Sequence, residues 1–337
     1  MIVVSGASGM VGSQIVLQFA LSNQAVCGLY RRPSALMAVK ESWKAQGYSD
    51  VYEKVSWRQV DLLDAQDTYE ALEGATMVIH AAAMVSFRKR DEAYMLHANP
   101  QMSENFWLAA LDRQVSFGIH ISSIATFSPD PRVDSIDETC ESRRAMLSSY
   151  GKSKLDAELV AWRYHTEGLP LAVLYPSVVL GPSAWADGSS LFPKSIAKGL
   201  AFHPPGSTGW VDVRDVAMAV EHFLHQKPFG ERFILNGANA PFKEVFSQLA
   251  QGLKVKPPRS NAPVWLLQLA WRLERLRERL TGSAPLLTKD SVRAAISHSQ
   301  YSPLKANNAG WTSRPLEETT EWVVNMHNIL HYSEPTL

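Results

Sequence analysis

Short apolar runs rich in Val, Ile and Leu alternate with longer stretches whose apolar residues recur every three or four positions, from the first residues to about position 180. The short runs predict strands near Ile2–Ser5, Ala25–Tyr30, Val55–Val60, Met77–Ala81, Gly118–Ser122 and Leu171–Tyr175. The periodic stretches predict helices over Val11–Leu21, Arg90–Leu111 and Ser149–His165. The second is expected to break at Pro100, because the missing N–H of a proline is harmless in the first turn of a new helix. Strands and helices in this alternation predict an α/β fold, a Rossmann-like, doubly wound parallel sheet covered on both faces.

After Gly181-Pro182 the punctuation changes, with Pro193, Pro204-Pro205-Gly206, Pro228 and Pro257-Pro258 cutting the chain into shorter pieces. This predicts a dinucleotide-binding domain over residues 1–180 and a smaller, mostly helical substrate lobe over 181–337. Residues 210–236 are expected to interleave with the last strands of the sheet, Arg232–Leu235 being one of them. Pro263 opens an amphipathic helix with Trp265, Leu269, Leu273, Leu276 and Leu280 on one face and Arg272, Glu274, Arg275, Arg277, Glu278 and Arg279 around it. Such a stripe is expected to pack on the body of the protein; contact with a membrane surface or a partner is the alternative.

Charge adds an exclusion. Lys plus Arg and Asp plus Glu both number 33, without like-charge blocks, so nucleic acid is not an expected partner. Cys27 and Cys140 give neither a disulfide framework nor metal-ligand spacing. His222 and His225 have no third ligand nearby in sequence, and no metal is expected. Met1 runs directly into apolar Ile2-Val3-Val4, which leaves no room for a secretory signal and predicts a cytoplasmic protein. The longest apolar run, Val264–Trp271, is too short to span a bilayer.

Chemistry enters with Gly6-x-x-Gly9-x-x-Gly12, which follows a predicted strand and opens a predicted helix. In that context Gly6 serves the turn, Gly9 lets backbone approach a pyrophosphate and Gly12 allows close helix–strand packing. The helix N-terminus then faces the phosphates, so that Gly6, Ser8, Gly9, Met10, Val11 and Gly12 are candidate dinucleotide contacts. The second strand ends Leu29-Tyr30-Arg31-Arg32-Pro33 with no carboxylate to hold a ribose hydroxyl. Arg31 and Arg32 instead suit a 2′-phosphate, and NADP is expected over NAD.

Tyr150 and Lys154 lie four residues apart on one helical face, and Ser122-Ser123 closes a predicted strand between them and the glycine loop. This trio suits proton exchange with a carbonyl or alcohol. Tyr150 would act as general acid/base, Lys154 together with a nearby nicotinamide cation would lower the phenol by about three pH units, Lys154 would also hold the nicotinamide ribose, and Ser123 would polarise the substrate oxygen, with Ser122 a competitor for that role. Phe87, Trp185, Phe192, Phe202 and Trp210 are expected either to line an apolar substrate cleft or to serve as core.

These motifs resemble the extended branch of the short-chain dehydrogenase/reductase superfamily, the NAD-dependent epimerase/dehydratase group, over nearly the whole chain. The resemblance implies an adenine contact at Asp61-Leu62, a strand end beneath the cofactor at Ala81-Ala82-Ala83, a structural Asn99 and a nicotinamide contact at Tyr175-Pro176-Ser177-Val178. Val211–Ala217 is similar to a late motif of the branch. The double arginine and Ala82–Phe87 look most like dihydroflavonol-reductase-like and 3β-hydroxysteroid-dehydrogenase-like members, which act on ketones and secondary alcohols of hydrophobic ring systems. Ser5 stands where a threonine is usual, Tyr175 where an arginine is common, and Pro100–Ser103 lacks the usual Gly-Thr. The resemblance implies an NAD(P)-dependent oxidoreductase acting on a small molecule, and a homodimer through the helices containing Arg90–Leu111 and Ser149–His165. A nucleotide-sugar epimerase with bound NAD and a non-catalytic NADP-binding redox sensor are the alternatives.

Overall fold

Strand and helix alternate from the N-terminus in a computed structural model that describes residues 1–86, 88–128, 133–182, 184–185, 188–281 and 289–332. The first half runs β1 (Ile2–Ser5), α1 (Met10–Leu21), β2 (Val26–Tyr30), α2 (Ala35–Ala45), β3 (Ser56–Gln59), α3 (Ala65–Ala71), β4 (Met77–His80), α4 (Glu92–Asp112), β5 (Phe117–Ile121), α5 (Ser149–Thr166) and β6 (Leu171–Pro176). The second half runs β7 (Val178–Leu180), α6 (Leu191–Ala197), β8 (Phe202–His203), β9 (Ser207–Asp212), α7 (Val213–Gln226), β10 (Arg232–Leu235), β11 (Ala238–Pro241), α8 (Phe242–Gly252), β12 (Ser260–Asn261), α9 (Val264–Thr281), α10 (Lys289–Ile296), α11 (Leu304–Asn308) and α12 (Leu316–Tyr332).

Seven strands form one parallel sheet in the order β10-β6-β5-β4-β1-β2-β3. Because successive strand residues point to opposite faces, each strand feeds two cores. Val4, Ile79 and Leu174 pack with α1 and α7 on one face, while Val3, Val78 and Val173 pack with α4 and α5 on the other. The strand order reverses between β1 and β4, whose carboxyl ends therefore open a crevice where sheets of this kind bind ligands.

Beyond Leu180 the chain builds a small three-stranded sheet, β11-β9-β7, backed by α6, α8 and α12, and returns to the large sheet through α7 and β10. Trp210 is fully buried here, its indole N–H donated to the Ala240 carbonyl and its ring against Phe192 and Phe242. It is therefore core rather than cleft lining. Phe202 is exposed.

Two expectations change. Helix α4 runs unbroken through Pro100, because Asn99 and the buried Met95, Met102 and Phe106 are held on both sides of it and outweigh one lost backbone bond. In α9 the side turned inward is Leu267 and Trp271, against Val292 and Ile296 of α10. Trp265, Leu269 and Leu273 of the expected packing stripe face solvent, Trp265 at 68% and Leu273 at 57% exposure. Phe87 and the side chains of Leu276 and Leu280 lie outside the described residues. Among the described residues no helix is long and apolar enough to cross a membrane.

Candidate active site

The glycine loop turns directly off β1. Gly6 has φ +68°, and a Cβ there would sit 2.7 Å from the Ala82 backbone beyond β4; a Cβ on Gly12 would meet the Gly6 carbonyl oxygen at 2.2 Å. Both positions exist to let backbone approach backbone. Gly9 differs: its N–H donates to the Gly6 carbonyl at 3.0 Å, yet a Cβ there would meet only that oxygen, at 3.4 Å, with open space beyond. Gly9 also starts α1 with no capping side chain and no acidic residue in the first turn, so the first-turn N–H groups are left for a ligand.

Around this loop the predicted residues gather. Ala7 N–H is bonded to the Leu29 carbonyl, which brings the end of β2 and the exposed Arg31 and Arg32 beside the loop. Asp61 accepts from the Leu63 N–H at 3.1 Å, and the Leu62 carbonyl is held by Asn105, so the turn after β3 is fixed. Asn99 bonds both backbone groups of Met84 and the Ser153 hydroxyl, tying the segment after Ala81-Ala82-Ala83 to α5. From the lobe, the Trp185 indole donates to the Ser8 carbonyl at 2.9 Å, and Gly181 packs against Met10. Val11 packs on the core beneath, Pro176 closes β6, and Val178 opens β7. The Ser177 hydroxyl is buried without a hydrogen-bond partner among the described residues.

Helix α5 carries the candidate acid–base pair. The Ser148 hydroxyl caps it by accepting the Gly151 N–H at 3.0 Å. Tyr150 is half-buried and hydrogen-bonded to Ser123, whose hydroxyl also accepts the Ala125 N–H at 3.1 Å. Lys154 is buried, with its ammonium donated to the Ile121 carbonyl at 2.6 Å. Burial pushes the Tyr150 phenol up to about 12, against the pull of Ser123. Burial is the dominant cause in the chain without cofactor, where the ammonium is directed to backbone; the expected lowering by Lys154 together with a nicotinamide cation concerns the loaded enzyme. Burial likewise pushes Lys154 down to about 8, opposed by the attraction of Glu158.

Three features went unread in the sequence. Gly151, between Tyr150 and Lys154, is needed because a Cβ there would lie 2.3 Å from the Ala125 carbonyl, so only glycine lets α5 close on the turn that bears Ser123. We predict that Gly151→Ala lowers kcat by about tenfold or more through loss of the Tyr150–Ser123 contact, measured beside wild type at equal folded fraction. Glu158 is buried one turn beyond Lys154; its Oε2 accepts from Ser122 at 2.6 Å, and its Oε1 from Tyr175 at 2.5 Å and Trp162 at 3.1 Å. Ser122 and Tyr175 are thus committed to Glu158 inside the core rather than to the crevice. His80 and His120 lie side by side beneath the strand ends, both buried.

The profile of the NAD dependent epimerase/dehydratase family matches residues 2–235. The chain is 25% identical over 316 residues to the "Putative dihydroflavonol 4-reductase" of Synechocystis sp., covering 90% of this chain and 87% of that one. It is 26% identical over 270 residues to sterol demethylase protein B of Methylococcus capsulatus, covering 79% and 78%. Among solved structures, the UDP-glucose 4-epimerase of Thermus thermophilus in complex with NAD shares the fold with a TM-score of 0.73 at 20% identity, over 98% of this chain and 99% of that one.

Proposed function

Since the chain belongs to the NAD dependent epimerase/dehydratase family and is an NAD(P)-dependent oxidoreductase of the extended short-chain type, we propose that it uses NADP to interconvert a ketone and a secondary alcohol on a hydrophobic substrate. The observation that carries this reading is the meeting, at the carboxyl edge of the sheet, of a bare helix N-terminus, the Tyr150–Ser123 pair and the buried Lys154. When bound, the nicotinamide supplies or accepts the hydride. The chain does the rest. The Ser123 hydroxyl donates to the substrate oxygen and polarises the carbonyl. Tyr150 gives that oxygen its proton in reduction and recovers it in oxidation. Gly9 and the first turn of α1 receive the pyrophosphate.

NADP is favoured by Arg31 and Arg32, exposed beside the glycine loop on a strand end that carries no carboxylate. A homodimer through α4 and α5 would cover the exposed Tyr94, Leu108 and Leu159. The relatives named as reductases favour reductase chemistry over epimerisation, as does Tyr175 in place of the arginine that accompanies sugar-nucleotide substrates.

The test is NADPH oxidation across ketones, aldehydes, steroids and flavonoids, with NADH as comparison. Turnover with NADPH preferred is expected, and R31A/R32A should weaken NADPH binding by roughly 10- to 100-fold, the loss of hydrogen bonds to a charged group, while leaving NADH unchanged. Copurified NAD with interconversion of UDP-sugars and no net cofactor change would overturn the proposal.

A further inference from the structure

We propose that Glu158 is the counter-ion that keeps Lys154 charged and in register with Tyr150, a positioning residue for the reaction inferred above, on which this assignment rests. Tyr150, Lys154 and Glu158 recur every four residues on α5, so one helix face delivers phenol, ammonium and carboxylate in sequence to the ends of β5 and β6. The ammonium takes the Ile121 carbonyl, and the next residue, Ser122, donates to the carboxylate. Lysine and glutamate therefore grip adjacent residues of the strand that leads to Ser123.

The carboxylate is held by three neutral donors, Ser122, Tyr175 and Trp162, which satisfy its oxygens while leaving its charge intact. The surroundings of Lys154 make that charge necessary. From β4 and β5 it faces His80 and His120, which offer no anion; from its own helix the attraction comes from Glu158, one turn on. Behind Glu158 stands Tyr175 on β6, itself hydrogen-bonded to Arg232 on β10. An ammonium buried without a carboxylate gives up its proton at lower pH. A neutral Lys154 would no longer favour the phenolate, nor hold a ribose hydroxyl by a charge-assisted bond.

The discriminating variant is Glu158→Gln, which keeps length and acceptor capacity but removes the charge. In wild type, kcat/KM and NADPH affinity, the latter read by quenching of tryptophan fluorescence, should fall together above about pH 8, where Lys154 loses its proton. In E158Q both falls are expected to move about one pH unit lower, a loss of about fivefold at pH 8. A purely structural Glu158 would lower Tm and leave the position of both falls unchanged, and that result overturns the assignment. Should E158Q not fold, Glu158→Asp draws the carboxylate back by one methylene and should move both falls in the same direction by less; unmoved falls again overturn the assignment. The binding readout needs no turnover, so its failure is distinct from failure of the catalytic reading. An inactive Y150F beside an unshifted E158Q would leave the reaction standing and remove Glu158 from it.

Discussion

Tyr150→Phe is expected to reduce turnover by about 10³-fold, in line with loss of a positioned acid or base, while NADPH affinity changes by less than about twofold. The substitution removes one hydroxyl and keeps the ring, so the packing of α5 survives. With its phenol pushed up to about 12, Tyr150 is protonated throughout the neutral range and is poised as a donor. On the proposed mechanism a protonated Tyr150 suits carbonyl reduction, whereas alcohol oxidation would need the phenolate and should quicken with rising pH until Lys154, at about 8, loses its charge. On the same proposal Ser123 alone would still polarise the carbonyl, so a residual rate above background is expected. Steady-state kinetics of wild type and Y150F, with binding followed by fluorescence, measure both halves of the expectation. Retained turnover in Y150F would exclude Tyr150 as the proton donor.

The positions of Gly6, Gly9 and Gly12 were legible because a strand, a turn and a helix N-terminus each impose a local constraint on sequence. The inner parallel strands were legible for a similar reason, because buried strands must be apolar over several consecutive residues, whereas the edge strand β3, Ser-Trp-Arg-Gln, has no buried residue. Pro100 misled because its cost is local while the packing that outweighs it, from Met95 to Phe106, is tertiary. Tyr175 could be matched by motif to the nicotinamide segment, yet which strand face it occupies depends on register, and register turns its hydroxyl inward to Glu158.

Glu158 itself left a readable trace. An acid at four-residue spacing from Lys154 and eight from Tyr150 must share their helix face, and the chemistry of that pair places the face toward the interior. Gly151 was legible only as a helix-weakening residue, since its use depends on the distance to Ala125, which no local pattern encodes. His80 and His120 sit in otherwise apolar strands, and their paired register, His80 opposite His120, needed the sheet order to become visible.

Lowering the pH from 6.5 to 4.5 is expected to unfold the protein through its buried histidines. His80 donates to or accepts from Ser5 at 2.8 Å and stacks on Phe106, while neither ring nitrogen of His120 has a partner among the described residues. Burial, aided by the charge of Lys154, pushes His80 down to about 3 and His120 well below its ordinary value; burial also brings His327 down to about 4. A group whose pKa is depressed by folding binds its proton more readily when unfolded. Stability is therefore full above about 6.5 and is lost as pH falls toward the folded values. Each histidine contributes a slope of about 1.4 kcal/mol per pH unit in that window, and three give at most about 4 kcal/mol per unit. Glu138 and Asp215, raised by burial, take up protons first in the folded state and reduce that slope. Even so, two pH units remove an amount comparable with the roughly 5–15 kcal/mol that stabilises a typical domain. Urea unfolding at pH 7.5, 6.5, 5.5 and 5.0 should show a plateau and then a steep fall. His120→Leu should stabilise the protein by about 1–2 kcal/mol at pH 7, since it removes unpaired buried polar atoms, and should flatten the slope by roughly one third. A stability unchanged between pH 7 and 5, in wild type, would mean that these rings are protonated or hydrated in the native state.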